Sequence, residues 1–103
     1  MSKARTVLAE VLEAVSVETD VAVTRIMSRC SDAETVDARW ICVKLLGEYG
    51  YYPSRIAEMM GITPRYVQYI LTDFEDRIMT CRYLRNNYER AAKRLRRKSE
   101  TFV

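Results

Sequence analysis

The chain has 103 residues, 49% of them apolar, which is enough apolar surface for one small core and too much for a disordered tail. Its 17 Lys and Arg against 14 Asp and Glu leave a formal charge of +3, and it contains no His. The missing His excludes His-based triads, Cys/His zinc sites and imidazole general bases, and the three scattered cysteines, Cys30, Cys42 and Cys81, argue against a disulfide framework or a metal cage. No cofactor and no small-molecule substrate is expected.

With only three Gly and two Pro, the chain reads as helices with short connectors. The first helix is predicted over residues 4–18, with Ala4, Val7, Leu8, Val11, Leu12 and Val15 on one face. This opening segment has no unbroken apolar run of the signal-peptide kind, and no stretch approaches the roughly 18 apolar residues a membrane span needs. A short second helix, near residues 22–29, presents Val23, Ile26 and Met27. Ser31 or Asp32 caps a third helix that runs to about Tyr49, with Glu34 in its first turn, where a carboxylate suits the dipole. Val36, Trp40, Ile41, Val43, Leu45 and Leu46 give it the wide apolar band of a central helix, and Gly50 offers the stop.

Pro53 opens a fourth helix that reaches Met60 and ends at Gly61. Thr63 and Pro64 restart the chain as N-cap and first residue of a fifth helix, which turns Val67, Ile70, Leu71 and Phe74 inward. The last helix repeats Leu84, Tyr88, Ala91 and Leu95 at helical spacing and carries Arg82, Arg85, Lys93, Arg96 and Arg97 on its other face. The expected fold is all-α: one domain over residues 1–98 with about six helices, and a fraying tail at 99–103. Charge is uneven along it, at −3 over residues 1–38, zero over 39–75 and +6 over 76–103. A basic C-terminal end on a neutral body suits a polyanion, or is simply a solvated Arg-rich face.

The informative stretch runs from Ser54 to Ile70. Ala57, Gly61 four residues on and Val67 six beyond that have the spacing of a helix-turn-helix, here placed at about residues 53–74. A small residue allows the helices to cross closely, Gly supplies a left-handed turn, and Ile62, Val67 and Ile70 seal the second helix onto Ile56 and Met60. In such a motif the start of the second helix enters a major groove. Its outward residues are Thr63, Arg65, Tyr66, Gln68, Tyr69 and Thr72, the candidate base-reading set. Arg pairs with guanine O6 and N7, Gln with adenine N6 and N7, and Tyr69 can lay its ring on a thymine methyl. Thr63 and the free N–H groups of the helix start suit a phosphate.

The section from Val15 to Arg77 resembles the C-terminal DNA-binding domain of the bacterial replication initiator DnaA, a Trp-repressor-like helical domain. The likeness lies in Arg25-Ile26-Met27-Ser28-Arg29, a short loop, Val36-Asp37-Ala38-Arg39 opening the long helix, and the helix-turn-helix at the expected distance. In that family the loop before the long helix and the Arg near its start contact DNA, which nominates Arg29 and Arg39. The family's Gly-Gly-Arg-Asp-His-Thr-Thr run is replaced here by the shorter Gly61-Ile62-Thr63-Pro64-Arg65-Tyr66, so its target sequence does not carry over. These residues include no phosphate-binding Gly-rich loop and are too few for the initiator's ATPase domain.

The resemblance implies a bacterial, cytoplasmic and nucleoid-associated double-stranded DNA binder, a transcription regulator or a DNA replication protein without ATPase activity. Its phosphate contacts are expected at Arg25, Arg29, Arg39, Arg55, Lys93, Arg96 and Arg97, and one reading helix per chain suggests a homodimer or larger complex, or clustered sites. Arg39 has a second reading, as an ion-pair partner of carboxylates such as Asp37 or Glu34. A helical protein-interaction module is the alternative function. An enzyme is not expected, since no metal-ligand spacing or nucleophile–base pair occurs.

Overall fold

The computed structural model describes the backbone of residues 3–100 and the side chains of residues 3–97. Its helices are α1 (Lys3–Thr19), α2 (Val23–Ile26), α3 (Ala33–Glu48), α4 (Pro53–Met60), α5 (Pro64–Thr80) and α6 (Arg82–Glu100). No strand occurs among the described residues. None of the described helices is long and apolar enough to cross a membrane.

Helix α3 has apolar side chains around nearly its whole circumference, and a helix of that kind must be covered on all sides. It touches each of the other five helices and buries Ala38, Trp40, Ile41, Cys42, Val43, Leu45 and Leu46. Full burial of each large aliphatic side chain contributes roughly 1.5–3 kcal/mol, so this helix supplies much of the core. Asp32 caps it, accepting from the Thr35 N–H at 3.2 Å and the Thr35 hydroxyl at 3.0 Å. Gly50, at φ 97°, ends it in the left-handed region, while the Tyr51 N–H reaches back to the Leu46 carbonyl.

The remaining helices pack their apolar stripes around α3. Val7, Val11 and Val15 of α1, Val67, Ile70 and Phe74 of α5, and Leu84, Ala91 and Leu95 of α6 are all buried. Helix α1 stops at Asp20, a non-glycine residue at φ 60°, where the sequence offered neither Gly nor Pro. Helices α5 and α6 are divided by Cys81 alone, whose extended backbone accepts from Arg85 and donates to Arg77. Helix α6 continues to Glu100, beyond the expected end at 98, and residues 101–103 of the expected tail lie outside the described residues.

Helix α2 is shorter than predicted, and Arg39 is the reason. The predicted helix covered residues 22–29, but only Val23–Ile26 is helical. Arg39 is 7% exposed and donates through Nε to the Ile26 carbonyl at 3.0 Å and through Nη2 to the Ser28 and Cys30 carbonyls at 2.8 and 3.1 Å. Carbonyls that converge on one guanidinium do not point along a helix axis. Ser28 reinforces the loop by donating to the Arg25 carbonyl and accepting from the Cys30 N–H. The ion-pair reading of Arg39 is therefore corrected: its Nε and Nη2 serve the loop's main chain, and among the described residues no ion pair joins it to Asp37 or Glu34.

Arg39→Met leaves these carbonyls without a buried charged donor, and we expect it to lower the unfolding free energy by about 3 kcal/mol in urea denaturation. Arg39→Lys keeps the charge without the planar fork, and should lose roughly half as much. Full stability in both variants contradicts this assignment.

Candidate nucleic-acid interface

The hairpin of α4 and α5 has the local geometry its sequence demands. Pro53 occupies the first turn of α4, where no N–H is missed. Gly61 takes φ 69° and ψ 34°, and the Ile62 N–H closes the turn on the Ala57 carbonyl at 3.0 Å. Ala57 and Met60 are buried, and Ile56, Val67 and Ile70 are fully so. Thr63 caps α5, its hydroxyl oxygen accepting from the Tyr66 N–H at 3.1 Å while its carbonyl accepts from Val67. Pro64 has no N–H. The start of α5 thus retains, among the described residues, the Arg65 N–H and the Thr63 hydroxyl proton as unspent donors.

Arg65, Gln68, Tyr69 and Thr72 are all exposed, and their spacing puts them on one face of α5 beside exposed Thr63. Among the described residues, no side-chain hydrogen bond or ion pair engages Arg65, Gln68 or Thr72. The face is bounded by carboxylates further along the helix. Glu75 pairs with Lys44 at 3.0 Å, and Asp76 is exposed. From Thr63 to Thr72 the rise is about 14 Å, the length of about four stacked base pairs.

Tyr66 differs from its expected companions in being half-buried. Its hydroxyl accepts from the Trp40 indole N–H at 3.2 Å. Trp40 is 3% exposed, in keeping with its core assignment. The Tyr69 ring meets it edge-on at 5.6 Å and 87°, and the Arg77 guanidinium lies 4.7 Å from its ring centre. Arg77 is held in turn by Asp37, Nη2 to Oδ1 at 2.9 Å. Burial pushes the Asp37 carboxyl upward, against the opposing pull of Arg77. Sequence reasoning missed Asp37 and Arg77 as members of this cluster. The available signal was that Asp37 and Trp40, three apart, share one side of α3, whereas Arg77 lies 40 residues from Asp37 in sequence.

The residues expected at phosphates divide sharply. Arg29 and Arg96 are exposed. Arg25 is exposed but engaged, donating to Asp32 at 3.0 Å and to the Thr35 hydroxyl at 3.1 Å. Arg55 pairs with Glu58 at 3.5 Å on the surface of α4, a contact of small energetic weight. Lys93 and Arg97 line the groove between α1 and α6, opposite Glu10, Glu13 and Glu18. Arg94 donates twice to Glu18 Oε2, at 3.0 and 2.7 Å. The acidic beginning and basic end of the sequence are thus neighbours in space, and part of the α6 charge is answered inside the molecule. Among the described residues, no cluster of His, Cys, Asp or Glu has the makings of a metal site.

Neither a protein-family model nor a curated protein matches this chain in sequence.

The Arg25–Asp32 pair makes a pH prediction. Hydrogen bonds from Arg25 and then Thr35 hold the Asp32 carboxyl down at about 2. A depressed carboxyl stabilises the native state above the ordinary carboxylate range, and loses that contribution as pH falls through about 2. Carboxyl-carbon NMR of the native protein should therefore find Asp32 ionised to unusually low pH. Arg25→Gln should bring its midpoint up toward the ordinary value of 3.8. An ordinary midpoint in the unaltered protein contradicts the pairing.

Proposed function

We propose that this chain is a sequence-specific double-stranded DNA-binding protein, with α4, its turn and α5 acting as a helix-turn-helix. The observation that carries the reading is the exposed Arg65-Gln68-Tyr69-Thr72 face at the start of a helix held by a closed glycine turn. Arg65 and Gln68 have no partner to give up among the described residues, so binding costs them little beyond side-chain entropy. Each matches a base edge bidentately, Arg with guanine and Gln with adenine, for about 1–3 kcal/mol of discrimination against a wrong base. Thr63 and the Arg65 N–H lie where a flanking phosphate is best received. Exposed Arg29 and Arg96 are the proposed backbone contacts from outside the motif.

The residue-level likeness to the initiator's DNA-binding domain supports the same class of partner and a Trp-repressor-like arrangement of helices. It favours a bacterial transcription regulator or replication-associated protein that reads DNA without ATPase activity. A reading face of about four base pairs gives limited specificity alone, so two copies on adjacent half-sites are proposed for tight binding.

A protein-interaction module is the second reading, and one observation favours it. Met79 is 79% and Tyr83 55% exposed on either side of Cys81, two large apolar side chains close together on the surface.

Selection from a random duplex pool at moderate salt tests the proposal. The unaltered protein should enrich a defined site, Arg65→Ala should relax it at a guanine, and Gln68→Ala at an adenine, each by about tenfold. A folded protein that enriches no site contradicts specific DNA reading and directs attention to the Met79–Tyr83 surface.

A further inference from the structure

Trp40 is closed to solvent, and three side chains of α5 engage its indole: Tyr66 at the N–H, Tyr69 at the ring and Arg77 over the face. Tyr69 belongs to the outward face and is 55% exposed, so one ring is fixed from inside and offered outside. A tyrosine hydroxyl accepts and donates. Having accepted from the indole, Tyr66 keeps its own O–H for a partner. Arg77 is also bonded to Asp37 at 2.9 Å, which tethers its guanidinium beside the indole. The cluster joins two helices through a cation on an aromatic face, an ion pair, a hydrogen bond and an edge-to-face ring contact.

We infer that Asp37, Arg77 and Trp40 are positioning residues that fix the Tyr66 hydroxyl and the Tyr69 ring as a preset pair of DNA contacts. Tyr69 is the specificity-determining member, its free ring face reading a thymine methyl, and Tyr66 donates to the adjoining phosphate. This rests on the DNA-reading role proposed above. Its physical basis is preorganisation. A mobile tyrosine on a helix surface loses rotamer freedom on binding, and one already seated against Trp40 loses less. Position alone would allow Tyr69 to touch DNA. The Trp40 contacts make that touch selective.

Duplex selection with Tyr69→Ala, Trp40→Phe and Arg77→Met, together with Arg77→Lys, tests the inference. Circular dichroism and melting establish which variants are folded. Ring NMR of the DNA-free proteins supplies an independent readout. The unaltered protein should show a thymine preference at one position of the selected site, lost in Tyr69→Ala. It should weaken about fivefold in Arg77→Met and Trp40→Phe, the scale of one aromatic contact, with partial rescue in Arg77→Lys. Preferences at the positions read by Arg65 and Gln68 should stay unchanged, which a general loss of stability would not spare. In the free protein, Arg77→Met should shift and broaden the Tyr69 ring signals.

Two results overturn the inference alone: an undiminished thymine preference in folded Arg77→Met and Trp40→Phe, or an equal loss at every position. Failure of the unaltered protein to enrich any site overturns the DNA-reading role, and this inference with it.

Discussion

The whole arrangement depends on the burial of α3. A sixteen-residue helix with apolar side chains around nearly its whole circumference cannot stay in solution with a bare flank. Each of the other helices is placed by covering one of its sides. The consequence for function is indirect but strict. Helix α5 covers α3 with Val67, Ile70 and Phe74, which leaves Arg65, Gln68, Tyr69 and Thr72 facing outward. A helix that buries one stripe must present another, and the second stripe here is chemically suited to base edges.

Arginine serves several unlike purposes in this molecule, and a charge count cannot separate them. Arg39 is enclosed and binds main-chain carbonyls, so its charge shapes a loop. Arg77 lies on an indole, and Arg94 answers a carboxylate of α1. A planar guanidinium with five donors suits all three roles, where lysine would not. Arg65 and Arg29 are exposed, and Arg65 stands on the α5 face proposed to meet DNA. The concentration of positive charge toward the C-terminus is therefore a weaker pointer to a polyanion than the sequence suggests. Arg77 is paired with Asp37 and Arg94 with Glu18, and Glu10 and Glu13 line the same groove as Lys93 and Arg97.

What was legible in the sequence was local. Pro53, Gly61, Thr63 and Pro64 mark helix boundaries because each obeys a backbone constraint that acts within a few residues, and α4 and the start of α5 lie where they indicate. The apolar band of α3 was visible for the same reason. Three things were not legible. The α5–α6 break falls at Cys81, which carries no breaker chemistry of its own. The shortening of α2 is imposed by Arg39, 11 residues beyond Ser28. The Asp37–Arg77–Trp40 cluster spans 40 residues and exists only once α3 and α5 cross. Of the expected base-reading residues, Tyr66 alone is half-buried, because its place on the helix turns it toward Trp40.

The first half of α5 is the surface proposed to meet duplex DNA. Backbone and side-chain NMR of the unaltered protein, titrated with a duplex taken from its own selected site, tests this most directly. The largest shift changes should fall on Thr63, Arg65, Gln68, Tyr69 and Thr72, and the Trp40 indole N–H should move with them. Changes confined to the exposed basic residues of α6, with α5 silent, would contradict it.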